Sequence, residues 1–316
     1  MEEWIIPILE DAICFISKSL FMSATVIDGR ILAREIRKEI RSKVKAILKK
    51  GERAPKLAVV MVGDNPASKA YVRNKVRSCE KCKIEHVMHH LDESVTDSEL
   101  LQLVDDINQD DSIDGVIVQL PLPDHIDEDQ ITLRIKPQKD VDGFHPQNIG
   151  RMALGLPAYI PATPKGILEM IKRYDIETEG KHCVVIGRSA IVGTPMSILM
   201  SRKAYPGNAT VTLAHSRTTN LIDVTRQADI LIAAIGRPHF VTAEMVKSGA
   251  VVIDVGINRV DDPNAEKGYR LVGDVDYDAV AKKASFITPV PGGVGQLTVT
   301  SLLENTLLSR LHAIYE

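Results

Sequence analysis

Along most of the chain, short apolar runs that end in glycine alternate with longer stretches whose apolar residues return every three or four positions. After Asp28-Gly29, ILAREIRKEIRSKVKAILKK predicts a helix with Ile31, Ile36, Ile40, Val44 and Leu48 on its apolar stripe. KLAVVMVG (56–63) is a β-branched run stopped by glycine and reads as a buried parallel strand. A helix from Ser68 to about Lys83 leads into IEHVMHHL, a second strand. Asp97 to Asn108 reads as another helix, with Thr96 as its cap and Glu99 as the reciprocal partner. GVIVQLPLP (115–123) is a third strand that runs into a proline-rich turn. Strand and helix alternate, so the first domain is expected to be α/β around a parallel sheet.

The same grammar restarts near Pro161. TPKGILEMIKRY predicts a helix, HCVVIG (182–187) a strand, TPMSILMSRKA a helix and ATVTLAHS (209–216) a strand. ADILIAAIG (228–236) and AVVIDVG (250–256) repeat the strand pattern, with helices expected between them. This is the order of a Rossmann-type, doubly wound nucleotide-binding domain. The final apolar segment, SLLENTLLSRLHAIY, predicts a helix able to fold back onto the first domain. The expected division is a catalytic domain at 22–160 completed by helix 300–316, and a nucleotide-binding domain at 161–299.

Composition narrows the range of functions. The 316 residues are 44% hydrophobic and 26% charged, the balance of a globular protein long enough for two cores. The 39 basic and 42 acidic residues give a formal net charge of −3, so nothing favours nucleic-acid binding and any phosphate site must be local. Cys14, Cys79, Cys82 and Cys183 are too few for a disulfide framework, which points to a reducing compartment such as the cytoplasm. Cys79 and Cys82 form a C-x-x-C followed by His86, His89 and His90, yet no second C-x-x-C completes a zinc site. Packed thiols on a helix end are expected, and no metal.

Residues 1–21 are apolar but begin with two glutamates and carry Asp11 inside the run, which suits neither a signal peptide nor a membrane span. Met22 stands directly before SATVIDGR. The expectation is an upstream extension with Met22 as the native start.

VVIGRSAIVGTP supplies a cofactor site. Gly187 ends a strand and Gly193 opens a helix, so backbone N–H groups at the helix start can face a pyrophosphate, although Ser189 replaces the middle glycine of the usual fingerprint. An NAD site wants an acid at the end of the next strand to bind the ribose hydroxyls. That strand ends in His215, Ser216, Arg217 and Thr218, and Arg188 lies in the first turn; these suit a 2′-phosphate and hence NADP.

SKAYVRNKVRS places Tyr71 and Lys75 at i and i+4, on one helical face. Short-chain dehydrogenases use the same spacing, but after their nucleotide loop, whereas this pair precedes the loop by over a hundred residues. Gln119 stands at a strand's carboxyl end, Asp142 before a glycine turn in KDVDGFHP, and PVPGGVGQLT (289–298) is a glycine-rich loop able to approach a flat ring. In this order the segments closely resemble the bifunctional methylenetetrahydrofolate dehydrogenase/cyclohydrolase family, from about Val26 to Leu308.

The resemblance implies that Lys75 is the essential catalytic group, that Tyr71 stacks on or orients the pterin, that Gln119 tunes Lys75 and that Asp142 bonds the pterin edge. It implies a cofactor site lined by Gly187, Arg188, Ser189, Ser216 and Ile257, and a substrate site that includes Ser68, Pro291, Gly292 and Gly293. A homodimer without membrane or nucleic-acid partners is expected with it. Gln296 and Leu297 depart from the proline and methionine usual in the last motif, which puts the rigidity of that loop in question.

The chemistry suits these groups. Hydride loss from the methylene bridge leaves a cation stabilised by its nitrogens, so oxidation needs positioning more than acid–base help. Hydrolysis needs a proton relay, which a lysine beside Gln119 and Tyr71 can provide. The competing readings are a monofunctional NADP-dependent dehydrogenase, a non-catalytic folate or nucleotide-binding subunit, and another small-molecule dehydrogenase of similar build.

Overall fold

The computed structural model describes residues 23–315; segment 1–21, and with it the expected start at Met22, lies outside the described residues. The chain enters through strand β1 (Thr25–Val26) and helix α1 (Gly29–Lys49). Asp28 caps the helix, its carboxylate accepting the N–H groups of Arg30 and Ile31 at 2.8 and 3.3 Å. The buried face is Leu32, Ala33, Ile36, Ile40, Val44 and Ile47. Ile31 and Leu48, expected on this stripe, are exposed. At 100° per residue Ile31 points opposite to the direction shared by Ile36, Ile40 and Val44 and Ile47 falls within that face, whereas Leu32 and Leu48 lie equally far to either side of it and packing buries only Leu32.

Strand β2 (Lys56–Val62) lies between β3 (Glu85–Leu91) and β4 (Gly115–Val118), and both pairings are parallel. Parallel neighbours need crossovers, supplied by α2 (Pro66–Cys82) and α3 (Asp97–Gln109). The predicted capping box of α3 is present: Thr96 Oγ1 accepts the Glu99 N–H, and Glu99 accepts the Thr96 N–H at 2.9 Å. Cys79 and Cys82 are buried on α2, and Cys82 faces the backbone of α1 through the Arg37 carbonyl. Two short helices, α4 (Glu128–Arg134) and α5 (Pro146–Ala153), follow β4.

Helix α6 (Ala162–Arg173) precedes the second sheet, whose strands β5 (His182–Ile186), β6 (Thr210–Ala214), β7 (Ile230–Ala233), β8 (Val251–Asp254) and β11 (Phe286–Ile287) are all parallel. Its order is β1-β11-β8-β7-β5-β6, a doubly wound arrangement that reverses direction at β5. Helices α7 (Gly193–Ser201) and α8 (Leu221–Arg226) make the crossovers from β5 to β7. Between β7 and β8, where a helix was expected, there is a 3₁₀ turn at Ala243–Met245. An antiparallel hairpin of β9 (Asn258–Asp261) and β10 (Tyr269–Val272) stands apart from both sheets, ahead of the short helix α9 (Tyr277–Val280).

The sequence groups residues from 22 onward with the first sheet. The structure instead pairs Thr25 with Phe286 and Val26 with Ile287, so the chain touches the second sheet before α1 carries it to the first. So short a strand needs a ready-made edge, and β11 provides one: Thr25 N–H donates to the Ser285 carbonyl and Ile27 N–H to the Ile287 carbonyl.

Helix α10 (Leu297–Arg310) lies against the first sheet, starting and ending earlier in the chain than the helix expected over 300–316. Ser309 Oγ bonds the Asp114 carbonyl at 2.6 Å, and Asn305 Nδ2 the Val141 carbonyl at 2.8 Å. The helix is buried nearly all round, the signature of an element inside a core. One apolar cluster runs through Leu57, Ile117, Met170, Val185, Ile253 and Leu303, so the two sheets share a continuous interior.

Candidate active site

Gln119 extends the β4 ladder by one residue, donating its backbone N–H to the Val60 carbonyl at 2.8 Å. Its side chain stands at the carboxyl end of the sheet, where open α/β folds leave a crevice. Lys75, on α2, donates from Nζ to Gln119 Oε1 at 3.1 Å, and Gln119 Nε2 donates to the Leu120 carbonyl at 2.5 Å. The amide is therefore oriented, its oxygen accepting from the amine and its nitrogen donating to the carbonyl.

Asp142 shares this environment. Burial pushes its carboxyl above the ordinary value, the Lys75 charge opposes that shift, and the Asp140 charge adds to it. The turn that carries Asp142 needs Gly143, which has φ +77° and would bring a β-carbon to 2.7 Å from the Pro161 nitrogen. Tyr71 sits one turn before Lys75 on α2 and is 48% exposed, its ring open to solvent. Ser68, a further turn back, is buried, and its N–H bonds Asn65 Oδ1 at 3.2 Å.

The glycine-rich loop follows a cis Val290–Pro291 bond. Gly292 has φ +116°, and its carbonyl accepts the Gly29 N–H at 2.9 Å, so the loop rests on the start of α1. A β-carbon on Gly29 would overlap the Gly293 carbonyl. Gln296 uses the N–H that a proline would lack, donating to the Gly293 carbonyl at 3.1 Å, and this bond closes the 3₁₀ turn Val294–Gln296. Leu297 is fully buried against Gly166.

The nucleotide turn has the shape its glycines predict. A β-carbon on Gly187 would overlap the Ala234 carbonyl, and one on Gly193 the Gly187 carbonyl, so β5, β7 and α7 meet with no room for a side chain. Val192, at the start of α7, supplies no side-chain cap; the Gly193 N–H meets Ser189 Oγ at 3.5 Å and the Thr194 N–H the Ser189 carbonyl at 3.1 Å. Ser189 Oγ accepts the Val192 N–H at 3.2 Å, giving the replaced middle glycine a turn-stabilising role. Ile186 pairs with Ala214 in register, so Arg188 and Ser216 lie two residues beyond matched positions on neighbouring strands, both exposed. Ile257 reaches across toward the glycine-rich loop, its Cδ1 lying 2.9 Å from where a Gly295 β-carbon would be.

Two buried carboxylates that sequence reasoning passed over brace this region. Asp274 accepts the N–H groups of Ile235, Gly236 and Arg237 at 2.8 to 3.0 Å and Asn258 Nδ2 at 2.8 Å, tying the end of β7 to the segment after Ile257. Asp254 accepts the N–H groups of Gly256, Asp274 and Val275, yet burial still pushes its carboxyl up to about 7. The available signal was an acid closing an apolar strand beside glycines: Gly256 and Gly273 lie where any side chain would strike Asp274 and Asp254. Among the described residues, no group of three or more His, Cys, Asp or Glu could hold a metal ion.

The structure thus brings Lys75, Gln119 and Asp142 together, keeps Tyr71 on the same helix, and sets the nucleotide turn on the other sheet, with Ile257 beside the glycine-rich loop. Residues 27–142 match the model of the tetrahydrofolate dehydrogenase/cyclohydrolase catalytic domain, and residues 161–313 that of the family's NAD(P)-binding domain. The chain belongs to this family. A relative from Cytophaga hutchinsonii named bifunctional protein FolD is 58% identical over 282 residues, covering 89% of this chain and 97% of that protein. The crystal structure of a bifunctional FolD methylenetetrahydrofolate dehydrogenase/cyclohydrolase from Campylobacter jejuni is similar at a TM-score of 0.86 and 46% identity, covering 92% of this chain and 99% of that one. A FolD from Trypanosoma brucei, solved with NADP cofactor and an inhibitor, reaches 0.88 at 38% identity over 94% of this chain and 100% of that one. Family membership accounts for the α/β architecture and for the glycine turn at Gly187 and Gly193.

Proposed function

We infer that the chain is a bifunctional enzyme that oxidises 5,10-methylenetetrahydrofolate with NADP and hydrolyses the resulting methenyl compound to 10-formyltetrahydrofolate. The observation that carries this reading is the Lys75–Gln119 hydrogen bond beside the half-buried Asp142. Both curated and structural relatives bear the bifunctional description.

In this reading Asp142 bonds the pterin edge and Tyr71 stacks on the ring. Ser68 and the loop Pro291, Gly292 and Gly293 complete the folate site. Gly187, Arg188, Ser189, Ser216 and Ile257 hold NADP, which when bound accepts the hydride. What supports the cofactor is the tight strand–helix turn, with no room for a side chain at Gly187 or Gly193, and Arg188 by the neighbouring strand end that lacks an acid. Lys75 takes the proton of the attacking water and returns one to the leaving ring nitrogen. Gln119 holds the amine in place through its fixed oxygen. The protein works as a homodimer in the cytoplasm; among the described residues no helix is long and apolar enough to cross a membrane.

An absorbance assay that follows methenyl-folate formation and decay tests this directly. Formation with NADP, followed by decay faster than the uncatalysed rate, is expected. Formation without accelerated decay would leave a monofunctional dehydrogenase, and binding without turnover would reject both.

A further inference from the structure

Behind Asp142 lies a chain of polar groups that the reaction does not use. The Asp140 carboxylate, 3% exposed, accepts the N–H groups of Gly143 at 3.1 Å, Phe144 at 3.2 Å and His145 at 2.8 Å, so it wraps the turn that follows Asp142 around itself. Asn148, fully buried on α5, donates from Nδ2 to Asp140 Oδ2 at 2.8 Å and to the Pro137 carbonyl at 3.0 Å. With Nδ2 committed, Asn148 Oδ1 faces the other way and accepts the Tyr159 N–H at 3.4 Å and the Tyr315 hydroxyl at 2.8 Å. Tyr315 is itself held by the Tyr159 ring, 5.9 Å away between centroids, and by the Arg151 guanidinium, 4.7 Å above its own ring.

The other side of Asp142 is also fixed by the C-terminal part of the chain. Half-buried Lys165 donates to Asn305 Oδ1 at 2.7 Å, which turns Asn305 Nδ2 toward the Val141 and Ile160 carbonyls at 2.8 and 3.2 Å. Backbone positions 141 and 143 are therefore each anchored, one by α10 and the other through Asp140. Within a buried polar network every member is satisfied, so removing one leaves its neighbours free to reorient.

We propose that Tyr315 and Asn148 are positioning residues for folate: through Asp140 they fix the turn that aims Asp142, so the end of the chain tunes substrate affinity without touching substrate. This rests on Asp142 being the pterin-binding group. It places control of the folate site on a residue some 170 positions later in sequence, at the periphery of the molecule.

The test is a double-mutant cycle with full-length protein, measuring KM for methylenetetrahydrofolate, KM for NADP and the melting temperature. Tyr315→Phe removes one hydroxyl and keeps the ring packing, and it should raise the folate KM at least twofold while leaving the NADP KM unchanged. Asn148→Ala, which removes the side-chain donor to Asp140, should raise the folate KM by more than Tyr315→Phe does. In an Asp142→Ala background, Tyr315→Phe should add nothing, because its effect passes through Asp142. A lower melting temperature with a folate KM changed less than twofold in Tyr315→Phe overturns the proposal and leaves a structural clasp. If Asp142→Ala itself leaves the folate KM unchanged, the pterin role of Asp142 fails and the inference falls with it.

Discussion

Lys75 Nζ lies 3.1 Å from Gln119 Oε1, joining a helix to the end of a strand 44 residues further along the chain. The bond fixes both partners: the amide oxygen can only accept, and its nitrogen is already committed to the Leu120 carbonyl. The amine is thereby held at the carboxyl end of the sheet.

Lys75→Met should therefore remove the proton relay. Hydrolysis of methenyl-folate is expected to fall at least a hundredfold, the scale of general acid–base catalysis. Decay of methenyl absorbance without NADP checks this, and a wild-type rate would reject Lys75 as the relay.

Gln119→Ala keeps the amine but frees it. The rate of hydrolysis should fall while the NADP KM stays constant, measured by the same decay assay. An unchanged rate would show that Gln119 does not govern Lys75.

Asp142→Ala should chiefly harm folate binding. Loss of a hydrogen bond to a charged group costs about 1.5–3 kcal/mol, a rise of roughly ten- to a hundredfold in folate KM. Steady-state kinetics with each substrate varied in turn will show whether NADP affinity is preserved, as expected.

Arg188→Ala should weaken NADP about tenfold more than NAD, because the guanidinium is assigned to the 2′-phosphate that only NADP carries. Titration of both dinucleotides provides the comparison. Equal losses would remove Arg188 from that role.

Asp254 links stability to pH. Its folded carboxyl is raised from 3.8 to about 7, so the folded state holds this proton more tightly than the unfolded chain does. The resulting stabilisation is fully present below pH 3.8 and is lost as pH rises to about 7. Asp254→Asn should flatten this component of the melting temperature between pH 5 and 8, even with a lower absolute melting point. A slope identical to wild type would show that another group controls it.

Much of the architecture was legible in local chemistry. β-branched runs ended by glycine marked the buried strands, Thr96 and Glu99 announced a helix start, and Gly187 and Gly193 announced a close strand–helix turn, because each signal depends only on residues adjacent in sequence. The Lys75–Gln119 contact follows from motifs read the same way, while the roles of Lys75, Gln119 and Asp142 rest on the predictions above. Other features were settled only in three dimensions. The Ile31 and Leu48 positions became exposed once neighbours fixed which way α1 faces. β1 joined the second sheet because β11 offered an edge, and the helix expected between β7 and β8 gave way to a single 3₁₀ turn. Asp254, Asp274, Asp140 and Asn148 read as ordinary polar residues in the sequence. They acquire their roles from backbone N–H groups or side chains that the fold delivers to them, in several cases from segments distant in the chain, and no local pattern records which donors a buried carboxylate will meet.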